Sequence, residues 1–226
     1  MACARRIGSI SGGFTLVELL VVILIVAILT SLVLAPITRA KEKGRTVQCG
    51  NNLRQIGLSF QMYGDDSMGF LPRASGYVKW GSTNPVAWTK VLLPYYSSTN
   101  LLRCPSFSNF HQRSFVNYFM GSWAAAVETH TYQYSSLNLG KVQYTSQYIL
   151  SGDVNHGIFA RDDADPDNFT WETLFSTNSP THNRMVNILF ADGHSSIASK
   201  FQASEMTYSC IAPGVAWTKS PVKITE

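Results

Sequence analysis

Five residues in the second half of the chain carry side chains that bind metal: His182, Asp192 and His194, with Asp153 and His156 upstream. Imidazole and carboxylate ligands of this kind suit Zn or Mn. The competing reading is structural: Asp192 precedes Gly193 and serves a turn, and the histidines bond to backbone. That reading is preferred, so no cofactor is assigned. The acidic run Asp162-Asp163-Ala164-Asp165-Pro166-Asp167 suggests calcium. Counted from Asp163, however, Asn168 and Leu174 stand where an EF-hand loop needs Gly and Glu. A loose oxygen site for calcium is the remaining option, and a solvated surface loop is preferred to it. No HExxH, GxSxG or phosphate-binding loop occurs, so there is no nucleophile or general base to name. The expectation is a protein that is not an enzyme.

Composition narrows the elements that must position these residues. The chain has 226 residues, 45% of them hydrophobic and only 14% charged. Disorder is excluded by this apolar mass, and a polytopic membrane protein by the presence of a single long apolar run. The formal net charge is +4, but the basic residues are scattered. Their densest run, Arg39, Lys41, Lys43 and Arg45, flanks the apolar segment, which points to a membrane boundary and not to a nucleic-acid face. The five tryptophans and ten tyrosines are read mostly as core, with binding of glycan or secreted cargo by an exposed subset as the other option.

Leu16 to Ala35 reads LVELLVVILIVAILTSLVLA, with Glu18 as its one charge. As a helix this run spans about 30 Å, the thickness of a bilayer's hydrocarbon core. A helix apolar on every face for this length is a transmembrane segment and not a core helix. Cys49, Leu53, Ile56, Phe60 and Tyr63 then follow at spacings of four and three, an apolar stripe that continues the helix. The spacing predicts a spine helix over 14–63, with Gly64 as its C-cap and Pro36 as an internal kink and local weak point. Residues 64–226 form one globular domain. Expected there are a short strand at 76–80, a short helix over 86–95, and strands at 144–150, 185–191 and 194–199. Asp192-Gly193 between the last two signals a two-residue type I′ hairpin, which sets Ile188 opposite Ile197. The fold class is α+β: a long N-terminal helix packed on a small antiparallel sheet.

Gly13-Phe14-Thr15-Leu16-Val17-Glu18-Leu19-Leu20 resembles the processing site of type IV prepilins and type II secretion pseudopilins. The resemblance implies a leader over 1–13, cleavage between Gly13 and Phe14 by a prepilin peptidase, and N-methylation of Phe14. It makes Glu18 the fifth mature residue, an assembly residue that pairs with the amino terminus of a neighbouring subunit. A double-glycine peptide leader is the rival reading, but such leaders lack a retained spanning helix. The resemblance also sets topology: a single pass through the inner membrane, N-terminus cytoplasmic, globular domain periplasmic. The charge count opposes this, because four basic residues follow the span and two precede it.

His182, nine residues, then Asp192-Gly193 resembles the C-terminal His-x9-Asp-Gly motif of the pilin-like DUF1559 family. Cys49-Gly-Asn-Asn-Leu-Arg-Gln-Ile-Gly-Leu, Met62-Tyr-Gly-Asp-Asp, Phe70-Leu-Pro, Leu92-Leu-Pro-Tyr and Leu102-Arg-Cys-Pro-Ser106 resemble the same family. Together these resemblances imply a structural subunit of a type II secretion pseudopilus or type IV pilus-like filament. Its partners are then other pilin-like subunits, the prepilin peptidase, an inner-membrane assembly platform and membrane lipid, with no nucleic acid. The alternative is a membrane-tethered periplasmic metal-dependent binding or hydrolytic module built on His182, Asp192 and His194. Some pseudopilins bind calcium in a loop, which keeps the acidic run in view. Removal of the leader takes Cys3 with it, leaving Cys49, Cys104 and Cys210 facing an oxidising compartment. One pairing open to them, Cys49–Cys104, would tie the spine to the Arg103-Cys104-Pro105 loop and leave Cys210 free.

Overall fold

The computed structural model describes residues 13–73, 78–84, 86–106, 116–121, 136–154, 182, 185–202 and 204–208. The chain divides into two compact units, Met1–Lys41 and Glu42–Glu226. A single helix, α1 (Leu16–Asp66), contains the boundary between them. The second unit adds α2 (Trp88–Val91) and four strands: β1 (Tyr118–Met120), β2 (Ile149–Asp153), β3 (Val186–Phe190) and β4 (Ser195–Ala198). The strands form one antiparallel sheet in the order β1-β2-β3-β4. This is the α+β, pilin-like layout of a long N-terminal helix followed by a small antiparallel sheet.

In the first unit the side chains from Leu16 to Leu34 are all exposed. Pro36 lies inside α1, which stays helical through it, so no unwound turn breaks the single chain there. In the second unit the apolar stripe of α1 enters the core. Cys49, Leu53, Ile56 and Phe60 are buried, Phe60 stacks on Trp88 at 5.4 Å between ring centroids, and Tyr63 meets Tyr95 edge to face. Helix and sheet touch where α1 has no side chain. A Cβ placed on Gly57 would lie 3.1 Å from the Leu189 side chain of β3, so a larger residue there requires Leu189 to give way.

The helix ends later than its glycine suggests. It passes through Gly64 to Asp66, and the carbonyl of Gly64 accepts from the amides of Ser67 and Gly69. The reversal occurs at Met68 and Gly69, both with positive φ, so Gly69 and not Gly64 provides the glycine stop. The helix expected over 86–95 is two short pieces, α2 and a turn of 3-10 helix at Leu93–Tyr95 that carries Pro94 in its first turn. The strand expected at 144–150 is displaced. Residues 144–148 form a turn closed onto the Tyr144 carbonyl, and β2 runs on through Ser151, Gly152 and Asp153. Those polar residues look like a strand end in sequence, yet Ser151 is buried and donates to the Phe119 carbonyl on β1 at 2.6 Å. The strand expected at 76–80 is not formed over its described part: Lys79 makes a single bridge and Trp80 already lies in a turn, whose Ser82 amide donates to the Lys79 carbonyl, while 76 and 77 lie outside the described residues.

The β3–β4 hairpin is present with a register one residue from that expected. Ile188 pairs with Ser196, and Asn187 pairs with Ile197. The loop is the three residues Ala191-Asp192-Gly193: the Gly193 amide donates to the Phe190 carbonyl, and only Gly193 has positive φ. That is a type I turn followed by a left-handed glycine, the usual three-residue hairpin loop. Asp192 has no positive φ in this loop, and its side chain supports the turn by accepting from the His194 amide at 3.1 Å.

Candidate functional site

Two regions hold the residues singled out by sequence, one in each unit. In the first, Gly13 and Phe14 are exposed at the start of α1. Thr15 and Glu18 cap the helix reciprocally. Glu18 Oε2 accepts from the Thr15 amide and hydroxyl, each at 2.8 Å, and the Thr15 hydroxyl accepts from the Glu18 amide at 3.2 Å. This is a capping box, which satisfies donors that a helix start leaves unpaired. Its signature, Thr-x-x-Glu before an apolar run, was readable in the sequence beside the processing motif. Glu18 thus has an intramolecular task within its own chain as well as the intermolecular one that the resemblance implies.

The second region is built where α1, β1, β2 and β3 meet. Cys49 is joined by a disulfide to Cys104, with Cα atoms 5.4 Å apart. Cys104 lies just after a 3-10 turn (Thr99–Leu102), and its amide donates to Asn117 Oδ1 at 3.0 Å. Asp153 ends β2 opposite Tyr118 of β1. Its Oδ2 accepts from both the backbone amide and the side-chain amide of Asn187 on β3, each at 2.8 Å. His182 is buried and carries a positive φ of 46°, an unusual conformation for a residue with a side chain. Its Nε2 lies 3.2 Å from Asp153 Oδ2 and 3.2 Å from Cys104 Sγ. Its Nδ1 lies 3.0 Å from the Thr46 hydroxyl and 3.4 Å from Glu42 Oε1. The Thr46 hydroxyl donates to the Glu42 carbonyl at 3.0 Å, so its lone pair is free to accept from His182 Nδ1–H. Glu42 is fixed in turn by Ser106, whose hydroxyl donates to Oε1 at 2.6 Å, and by Arg45, 3.5 Å from Oε2.

The electrostatics are those of a buried carboxylate held by the two amide donors of Asn187 beside the His182 imidazole. Burying a carboxylate is costly unless it is paired and hydrogen-bonded. Asp153 Oδ2 accepts from the two Asn187 donors and lies 3.2 Å from His182 Nε2, while Oδ1 is buried with no hydrogen-bond partner among the described residues. Tyr118 reports the same charge. Its hydroxyl is pushed well above the ordinary phenol range, first by burial and then by the negative Asp153, with the bond from Asn52 opposing both.

The sequence-predicted residues therefore separate. His182 and Asp153 come together with the two cysteines. Asp192 and His194 pair with each other at 2.6 Å on the hairpin, where the imidazole also stacks on Phe190. The ligand set His182–Asp192–His194 is not among the clusters that the described residues form. His156, Cys210 and the acidic run 162–167 lie outside the described residues. Sequence reasoning missed Glu42 and Thr46, although they extend the stripe of Cys49 toward the N-terminus at spacings of four and three.

Family comparison matches two stretches. A prokaryotic N-terminal methylation motif matches residues 9–34. A family described as a protein of unknown function, DUF1559, matches residues 38–164, more than half of the chain. The chain belongs to the DUF1559 family. No curated protein and no solved structure matches it. The methylation motif supports a pilin-like subunit with prepilin-type processing, and the exposed apolar stretch of α1 is long enough to cross a membrane.

Proposed function

We infer that this DUF1559 protein is a structural subunit, cleaved between Gly13 and Phe14 by a prepilin peptidase, methylated on Phe14, and assembled into a type II secretion pseudopilus or a type IV pilus-like filament. The observation that carries this reading is the coincidence of the methylation motif over 9–34 with a helix whose apolar side chains are exposed on every face. An exposed surface of that size needs lipid or other copies of the same helix to cover it. Glu18 supports the assembly step. A carboxylate within a membrane span costs about 2.5–3.5 kcal/mol at the centre on insertion scales, and less near a helix start. A neighbouring subunit's methylated amine offsets that cost and fixes the axial register between helices.

In this reading the chain is anchored by 16–35 in the inner membrane, its globular domain is periplasmic, and it catalyses nothing. Other pilin-like subunits, the peptidase and an inner-membrane assembly platform are its partners. Mass spectrometry of the mature N-terminus tests it. The expected product begins at methylated Phe14, and Gly13→Val is expected to accumulate as uncleaved precursor. A native product that still carries Met1 would sink the proposal. For assembly, Glu18→Ala is expected to be processed yet absent from sheared filaments, and normal incorporation of that variant would remove Glu18 from the mechanism.

A further inference from the structure

We propose that the buried cluster of Cys49, Cys104, Asp153 and His182 is a redox-gated binding site for a divalent thiophilic cation, zinc foremost, with the disulfide as its closed state. One ligand atom from each residue lies within 4.8 Å of all the others, and all four residues are buried. Two thiolates, one imidazole and one carboxylate form a donor set that zinc accepts, with bonds of about 2.0–2.3 Å. Tetrahedral bonds of that length set ligands about 3.3–3.8 Å apart. His182 Nε2 already lies 3.2 Å from both Cys104 Sγ and Asp153 Oδ2, so the set is completed by separating the two sulfurs and drawing in the wider gaps of a cluster that spans at most 4.8 Å.

The surroundings are those of a built site. Metal-binding histidines usually donate their second ring N–H to an oxygen, which fixes the tautomer. Here Nδ1 faces the Thr46 hydroxyl and the Glu42 carboxylate. Metal-binding carboxylates are likewise hydrogen-bonded, and Asn187 gives Asp153 two donors. Asp153 Oδ1, buried and unpartnered among the described residues, is an independent sign that the site is not fully satisfied in its disulfide form. The positive φ of His182 adds a residue held in a costly backbone conformation, of the kind that clusters at functional sites.

The chemistry balances as two steps. A dithiol reductant supplies two electrons and two protons, becomes a disulfide itself, and converts Cys49–Cys104 to two thiols. Zinc then displaces both thiol protons to solvent, and His182 binds through the Nε2 lone pair while keeping its proton on Nδ1. In reverse, a disulfide oxidant takes two electrons from the bis-thiolate, the sulfur–sulfur bond re-forms, and the ion leaves. With four protein ligands no position stays open for water, so the site is structural and not hydrolytic. It ties α1 to β2 by coordination when the covalent tie is absent.

The test uses the full chain in detergent, reduced with a dithiol that is then removed without air, and titrated with zinc or with cobalt as a spectroscopic probe. The reduced chain is expected to hold about one equivalent, to show thiolate-to-cobalt charge-transfer absorption, and to protect Cys49 and Cys104 from alkylation. The oxidised chain is expected to hold none. Asp153→Asn, checked for native circular dichroism, is expected to bind at least about tenfold more weakly. A reduced chain that takes up no metal, that unfolds with metal present, or whose metal leaves Cys49 and Cys104 open to alkylation overturns the proposal. So does metal uptake by a folded Cys49→Ser/Cys104→Ser variant equal to that of the unsubstituted chain.

Discussion

Cys49 and Cys104 are separated by 55 positions, and the bond between them constrains the unfolded chain over that whole loop. The chain-entropy relation gives such a closure about 4 kcal/mol at 25 °C. Reduction in the presence of a chelator is therefore expected to lower the free energy of unfolding by roughly this amount, read from denaturant midpoints. Tyr118 gives a second prediction. Because burial and Asp153 hold its pKa well above the ordinary value, the native state keeps a proton that the unfolded chain releases near pH 10. The unfolded state then binds fewer protons, so stability is full below about pH 10 and declines as pH rises above it. Tyr118→Phe removes this decline. It is expected to cost about 1 kcal/mol at neutral pH through the lost hydrogen bond and to flatten stability against pH between about pH 9 and about pH 11. Some slope remains, because burial also raises Tyr208 and pushes Tyr96 to about 12. An unchanged alkaline slope in Tyr118→Phe would show that burial and Asp153 together do not hold the Tyr118 proton in this way.

Elements differ in how much of themselves they write into sequence. The spine was legible because a helix that turns one face to the core shows that face at a fixed period: Cys49, Leu53, Ile56 and Phe60 repeat at helical spacing, and all are buried. Its end was not, since Gly64 lies near the side chains of Leu71 and Leu139 while Gly69 makes the reversal. The hairpin was legible and its register was not. Asp-Gly serves a two-residue loop and a three-residue loop equally well, and a one-residue difference moves Ile197 from opposite Ile188 to opposite Asn187. β1 is three residues long, too short to show a period. The buried cluster left no local motif because its members come from four separate stretches of chain, joined only when the sheet forms against α1. Gly193 carries a prediction at this scale. Its φ of 88° is strained for any side chain, and a Cβ there would lie 3.1 Å from the amide end of Gln61, which is flexible enough to move. Backbone strain then decides the outcome. Gly193→Ala is expected to lose about 1–2 kcal/mol by thermal or denaturant unfolding, and Gly193→Asn clearly less, because Asn tolerates the left-handed region. Equal losses for the two variants would point to packing against Gln61 and not to φ.

Across the whole molecule the unresolved competition is between two determinants of topology. Arg39, Lys41, Lys43 and Arg45 follow the apolar run, while only Arg5 and Arg6, with the initial amine, precede it. Basic residues within about 15–20 positions of a span favour the cytoplasm. The margin is therefore against the orientation proposed above, with a cytoplasmic N-terminus. Glu42 narrows it: its carboxylate lies beside Arg45, and a paired charge is a smaller obstacle to transfer than a bare one. Arg5 and Arg6 must then matter more than their number suggests. In a fusion that ends in a reporter active only outside the cytoplasm, the unsubstituted chain is expected to be active and membrane-bound. Arg5→Gln/Arg6→Gln is expected to lose most of that activity and to remain uncleaved at Gly13. Adding Arg39→Gln and Lys41→Gln to that variant is expected to restore both, because the difference in charge across the span returns. If the leader variant keeps full activity and full cleavage, charge balance does not set the orientation, and the recognition of the Gly13–Glu18 segment itself must do so.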